Sequence, residues 1–432
     1  MVICSEELMK ISVVGLWHLG MTYSIGLAQL GHEVIGIDPN EKAIQTLASG
    51  NLLVYEPKLK ELLETKLNSN DLKFSLSYEH CADSKVIFLT FDTPIDNEDS
   101  SDVEFVFQQI ERLLHSVREG AILVICSQLP VGSCKKVTEM AQKLNKSIEV
   151  VSHPENLRLG RAFETFFNAD RLIFGTVDGN PNVLIQEVFQ QLDKPKFWIK
   201  IESAEMSKHA LNAFLALSIT FAGEISQICS SVGADAKEVE LALKSDSRIG
   251  SSAYLSPGLG FSGGTLARDV NAIAKLQRAL KREASILSEV MNSNKINNSW
   301  VEQSLREVLP LKSERIVFCG VSYVQGTNTL RRSISLDVMS SLSSDGYEVC
   351  FVEDETLESI EDFRFHDVSK SNEKQIDALV IMKNLKMFET NQEYITQIIS
   401  QSTWIFDPFR LLEGKVPRHL EMKHYLSIGM KI

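Results

Sequence analysis

The chain has 432 residues, 44% of them hydrophobic and 23% charged, enough for two or three domains that each bury a core. Its net charge of −13 excludes a nucleic acid or an anionic membrane surface as the main partner, but leaves room for a small anion in a local basic pocket. The seven scattered cysteines show no C-x-x-C or metal-ligand spacing, which predicts a reduced, cytoplasmic protein with no metal site. MVICSEELMK lacks the apolar core of a signal peptide, and no stretch reaches the roughly 20 apolar residues of a membrane helix.

Residues 1–200 alternate short β-branched runs with amphipathic stretches. Strands are predicted at 10–15, 32–38, 86–91, 121–127, 148–152 and 171–176, a pattern that means a parallel, doubly wound α/β sheet of the Rossmann type. From Ser203 apolar residues recur at helical spacing for about thirty residues, with Gly233 placed to end the helix. More helical patterns follow, broken by the loop SPGLGFSGGT at 256–265, so residues 201–311 read as an all-helical connector. Over 312–432 the alternation resumes, with strands predicted at 315–323, 348–354, 377–383 and 403–409 in a second, smaller α/β unit.

The segment GLWHLG, residues 15–20, joins the first predicted strand to the first predicted helix. A strand, a glycine turn and a helix N-terminus together form an anion site, because free backbone N–H groups and the helix dipole face the same point. Asp38, at the end of the second strand, stands where an acid accepts ribose hydroxyls and favours NAD over NADP. Trp17 occupies the place of the middle glycine of G-x-G-x-x-G, whose missing Cβ lets a pyrophosphate approach. By itself this turn leaves dinucleotide binding and an ordinary βαβ turn equally open.

Several segments, in order along the whole chain, resemble the UDP-glucose/GDP-mannose dehydrogenase family. GNLLVYEPKLKELL (50–63), TFDTPID (90–96), SQLPVGS (127–133) and SHPENLRLGRAFETFFNADRLIFG (152–175) are similar to motifs of its first domain. SAEMSKHALNAFLALSITFAGEI (203–225) is similar to its central helix, SPGLGFSGGTLARDV (256–270) to its active-site loop, and GVSYVQGTNTLRRSISLDV (320–338) to a segment of its last domain. The resemblance implies an NAD-binding domain, a helical region that makes a homodimer and a nucleotide-sugar-binding domain. Family members oxidise the C6 alcohol of a sugar nucleotide to a carboxylate with two NAD, the intermediate aldehyde being captured by a cysteine.

Lys208 and Asn212 are four residues apart and share one helix face, where an ammonium and an amide can stabilise a developing oxyanion. The resemblance implies that they are the catalytic lysine and its asparagine partner, that Asp269 is the catalytic aspartate ordering water, and that Glu155 is the active-site glutamate. Without it, Lys208 and Glu155 read as solvated surface residues and Asp269 as a helix N-cap. It further places Gly15, Trp17, Leu19, Gly20, Asp38, Thr93 and Gln128 at the cofactor. Asn156, Leu157, Arg248, Tyr254, Gly260, Gly263 and Arg331 fall at the substrate. Arg248 matches an arginine that reaches the substrate from the neighbouring subunit, and a guanidinium suits a diphosphate. For Arg248 and Arg331 a surface ion pair is the competing reading.

The departures are specific. Thr265 stands where the family has its nucleophilic cysteine, and a threonine hydroxyl is far less ionised near neutral pH than a thiol. Gln128 replaces a threonine, Leu159 an acid, Val324 a substrate-facing lysine and Asn328 an aspartate. Two readings follow: an NAD-dependent nucleotide-sugar oxidoreductase limited to the alcohol/aldehyde step, or an inactive nucleotide-sugar-binding homologue with a regulatory or assembly role. A small-hydroxyacid dehydrogenase of the related β-hydroxyacid class is disfavoured by the large C-terminal α/β unit.

Overall fold

The computed structural model describes residues 8–94, 102–155, 157–282, 285–310, 314–323, 330, 332–354, 366–367, 375–415 and 424–430. The chain divides into two compact units, Met1–Ala210 and Leu211–Ile432, so the boundary lies within one long helix, Ile201–Val232. The helical region expected between two α/β domains lies for the most part in the second unit.

The first unit is built on eight strands: β1 Lys10–Val14, β2 Glu33–Ile37, β3 Leu72–Ser75, β4 Val86–Leu89, β5 Ile122–Ile125, β6 Glu149–Ser152, β7 Leu172–Thr176 and β8 Lys196–Lys200. Their order is β3-β2-β1-β4-β5-β6-β7-β8. All six predicted strands are present, and β3 and β8 are additions. Pairing is parallel except at β6–β7, which meet antiparallel at Ser152 and Gly175. The strand order reverses between β1 and β4, which opens a crevice at their carboxyl ends. Two apolar layers flank the sheet, one around Ile11, Phe88 and Phe174, the other around Ile87, Ile110 and Leu123.

The second unit repeats the plan with six strands: β9 Arg315–Cys319, β10 Glu348–Val352, β11 His366–Asp367, β12 Ile376–Ile381, β13 Ser402–Phe406 and β14 Tyr425–Leu426. They lie in the order β11-β10-β9-β12-β13-β14, parallel throughout. The two-residue strands β11 and β14 are too short to leave a pattern in the sequence. A separate apolar cluster joins Ala213 and Ala216 of the long helix to Phe261, Ala267, Val270 and Val290.

The long helix corrects one expectation. Ile201–Val232 is long and apolar enough, by length and composition, to cross a bilayer. It also buries polar side chains within the protein, among them Glu205, His209, Asn212, Thr220 and Ser226, while Phe214, Phe221, Ile228 and Val232 stay exposed. Gly233, in left-handed backbone with φ 79°, follows it as predicted.

Candidate functional site

In the first unit the turn after β1 is shaped by two glycines. Gly15 has φ 96°, and a Cβ there would lie 2.6 Å from the Phe91 backbone nitrogen. A Cβ on Gly20 would lie 1.7 Å from the Gly15 carbonyl oxygen, which the Thr90 hydroxyl holds at 2.7 Å. Such packing against backbone leaves no room for a side chain, so the helix His18–Gln29 starts directly over the turn. Trp17 is its N-cap in extended backbone, contributes no side-chain cap, and is 52% exposed. The fold therefore carries the indole outside its core. Leu19 points into the core, so what it can offer an anion is its first-turn N–H.

Asp38 is nearly buried; one carboxylate oxygen accepts the Leu16 N–H at 2.7 Å and the other the Asn40 N–H at 2.8 Å. It thus braces the turn at the β2 end of the crevice. Thr93 is buried and donates its hydroxyl hydrogen to the Gln128 carbonyl at 2.6 Å, tying the loop after β4 to that after β5. Glycine cradle, bare helix start and braced acid together fit a dinucleotide such as NAD.

At the carboxyl end of β6, Glu155 accepts the Leu157 N–H at 2.5 Å. The Lys208 ammonium donates to the Glu155 main-chain carbonyl and stands 3.9 Å from its carboxylate. Both side chains are mostly buried, which contradicts the solvated-surface alternative for the pair. They border a cavity of about 30 Å³ with Gln128, Cys126, Cys134 and Glu205, room for a water molecule and little more.

In the second unit, the Asn212 side-chain amide donates to the Asp269 carboxylate; both are buried, Asp269 completely. Asp269 is not an N-cap: the helix Gly264–Ala279 is capped at Gly263, so Asp269 faces inward from its second turn. The glycine-rich loop before it is clamped by Asn294, whose side chain accepts the Phe261 N–H at 2.8 Å and donates to the Phe261 carbonyl at 2.9 Å. Gly260 is needed there, since a Cβ would lie 2.2 Å from the Asn294 Oδ1. Gly263, with φ 81°, closes against the Tyr323 hydroxyl.

Thr265 lies in the first turn of this helix and is exposed. Of the cysteines, Cys81, Cys126, Cys134, Cys229, Cys319 and Cys350 are free and buried, and Cys4 is outside the described residues. Burial pushes the Cys81 thiol up to about 12 and raises those of Cys126, Cys134 and Cys319 as well, so these remain thiols. Among the described residues no group of three or more metal-ligating side chains converges.

Arg248 forms a bidentate pair with Asp246 two residues earlier, at 2.7 and 3.0 Å, the ion-pair alternative named for it. Tyr254 is half-exposed, and Leu157 packs partly against the first core. Asn156, Arg331, Val324 and Asn328 lie outside the described residues.

Besides Asn294, three supporting residues escape the sequence. Glu205 accepts the N–H groups of Gly132 at 2.6 Å and Cys134 at 2.8 Å, supplying the negative charge that the N-terminus of Ser133–Lys143 lacks in its own first turn. The His209 ring meets the Leu129 carbonyl at 3.1 Å, so two side chains flanking Lys208 hold the Gln128 loop. Glu56 is buried and gathers the His18 ring at 2.6 Å and the N–H groups of Gly160 and Ala162, at 2.7 and 3.0 Å. The hint for Glu205 is an uncapped helix after Gly132; Glu56 and His209 leave none.

Residues 9–193 match the NAD binding domain of the UDP-glucose/GDP-mannose dehydrogenase family, residues 202–296 its central domain and residues 317–414 its UDP binding domain. Over 346 residues the chain is 31% identical to a UDP-glucose 6-dehydrogenase of Bacillus subtilis, spanning 78% of this chain and 77% of that protein. It is 28% identical over 435 residues to the UDP-glucose 6-dehydrogenase of Rickettsia conorii, spanning 98% and 100%. A UDP-glucose dehydrogenase structure from Pyrobaculum islandicum superposes with a TM-score of 0.87 at 26% identity, covering all of both chains.

Proposed function

The chain belongs to the UDP-glucose/GDP-mannose dehydrogenase family, and from that premise we propose that it oxidises the C6 alcohol of a UDP-sugar with NAD and stops at the two-electron, aldehyde stage. The observation that carries this reading is the buried Asn212–Asp269 pair one helical turn beyond Lys208. NAD, when bound, supplies the hydride acceptor. On the one long helix, Lys208, held beside Glu155, and Asn212, oriented by Asp269, are each a donor suited to an oxygen on which charge develops. Asp269 acts as a positioning residue through Asn212 and helps to order water near the reacting carbon.

Thr265 limits the chemistry. A thiohemiacetal needs a thiolate, and the described cysteines are buried, most of them held as thiols, and none lies in the glycine-rich loop. The aldehyde is then the product, or the starting point of the reverse reduction. Arg248 is assigned to the substrate of a neighbouring subunit; its exposed guanidinium exchanges Asp246 for a diphosphate.

A homodimer fits the long helix, where Phe214, Phe221, Ile228 and Val232 are exposed along one stripe, Val232 by 72%. Six buried, unbridged cysteines support the cytoplasm as its location. The test is NADH stoichiometry on a panel of UDP-, GDP- and dTDP-sugars. One NADH per sugar is expected; two would refute the role given to Thr265, and none with any sugar would refute the enzyme reading.

A further inference from the structure

The two sheets share a detail at their switch points. After β1, the Gly15 N–H donates to the Ile37 carbonyl at 2.8 Å and the Leu16 N–H to the Asp38 carboxylate at 2.7 Å. After β9, the Gly320 N–H donates to the Val352 carbonyl at 2.9 Å and the Val321 N–H to the Glu353 carboxylate at 2.8 Å. Gly15 and Gly320 both have left-handed backbone, at φ 96° and 92°. Each is closed off by the residue that follows the next strand over: Phe91 beyond β4 in the first sheet, Lys383 beyond β12 in the second, whose Cβ would be 2.6 Å from a Cβ on Gly320. The second turn therefore has the acid of a nucleotide crevice on one flank and an ammonium where the first turn has a phenyl ring.

Lys383 is half-buried, and its ammonium donates to the Ser322 hydroxyl at 2.7 Å. Tyr323, the next residue, donates to the Ser262 carbonyl at 3.3 Å, so this turn abuts the glycine-rich loop that leads to Thr265. Ligands of open α/β sheets lie outside the strand ends at the switch point, with ribose toward the acid and phosphates across the turn. We infer that Lys383 receives the diphosphate of the nucleotide sugar at the end of β12, with the ribose toward Glu353. This rests on the nucleotide-sugar reading and adds a substrate-binding residue to it.

Burial brings the Lys383 ammonium down to about 8, an effect that Glu353 partly opposes. The other titratable groups around it are Asp354, and Cys319 and Tyr323, whose pKa values are raised by burial. Lys383 is thus the group that loses a proton just above neutral pH, and with it the charge that attracts the phosphates.

Calorimetric titration of the full chain with UDP alone tests the assignment. Lys383→Met is expected to weaken UDP binding at least tenfold while leaving NAD binding and the melting temperature unchanged. In the wild type UDP affinity falls between pH 7 and 9, whereas Lys383→Arg binds within threefold of wild type at pH 7 and stays flat. Wild-type affinity in Lys383→Met, or a flat wild-type pH profile, overturns the assignment while the nucleotide-sugar reading stands. Should Lys383→Met not fold, the comparison of wild type with Lys383→Arg decides. A wild type that binds none of UDP, GDP and dTDP overturns both.

Discussion

Replacing Gly20 by alanine tests whether the turn after β1 is the cofactor cradle. The new Cβ would lie 1.7 Å from the Gly15 carbonyl oxygen, 1.3 Å short of the 3.0 Å below which real Cβ contacts are essentially never found, and 2.6 Å from the Thr90 hydroxyl. Neither neighbour can swing away: one is backbone, and the hydroxyl is tied to that same carbonyl. Relief requires the helix start to lift off the turn, at an overpacking cost of about 1–3 kcal/mol plus about 1 kcal/mol for the Thr90 hydrogen bond. A shift of that size also misplaces the first-turn N–H groups. Gly20→Ala is therefore expected to lower the melting temperature and to weaken NAD binding at least a hundredfold by calorimetry. Gly132→Ala is the control: φ is 95° but nothing lies within 4 Å, so the cost is left-handed strain of about 1–2 kcal/mol. Unchanged NAD affinity and melting temperature in Gly20→Ala would refute the cradle.

Thr265→Cys places a thiol in the first turn of Gly264–Ala279, where the helix terminus favours the thiolate; NADH per sugar should rise from one to two, and a value still at one would remove position 265 from the reaction. Phe214→Glu with Ile228→Glu puts two charges into the exposed stripe of the long helix; the homodimer proposed from that stripe should give way to monomer in sedimentation with the fold retained, and unchanged sedimentation would remove the stripe from any interface. The Arg410 side chain, hydrogen-bonded to Asp235, lowers its carboxyl to about 2. That stabilisation is complete above the unfolded value of about 3.9 and is lost as pH falls toward 2. The aspartate is a third exposed, so solvent screening reduces the effect to about 1 kcal/mol. Asp235→Asn should melt lower at pH 6 and converge with the wild type near pH 2; equal melting at pH 6 would show that the pair adds nothing.

The parts of the fold that could be read in advance are those where burial writes a long pattern. β1, β4 and β5 are apolar runs buried on both faces, and the long helix keeps its period for eight turns. β3 and β8 escaped because LKFS is short and KFWIK is a half-exposed edge strand. The antiparallel junction at Ser152–Gly175 depends on how a connection runs, which no residue pattern records. In the site, Lys208, Asn212 and Asp269 were singled out by their places in family-like motifs, since read alone Lys208 is a solvated lysine and Asp269 an N-cap. Glu205, His209, Glu56 and Asn294 were not, because each answers backbone N–H or C=O groups that every residue carries.

Trp17 separates two kinds of constraint on a glycine turn. Gly15 and Gly20 are demanded by the protein itself, since a Cβ at either collides with its backbone. Position 17 has φ −63° and faces solvent, so the fold imposes no such demand, and the middle glycine of the motif is a requirement of the ligand alone. The tryptophan then costs the apo protein little and acts only on the bound cofactor. The other three tryptophans pack against rings: Trp198 on Phe174, Trp300 near Phe406, Trp404 on His424. NAD should therefore change the fluorescence mainly through Trp17, with saturation at the calorimetric Kd and loss of the signal in Trp17→Phe. A full response surviving in Trp17→Phe would place the cofactor away from this turn.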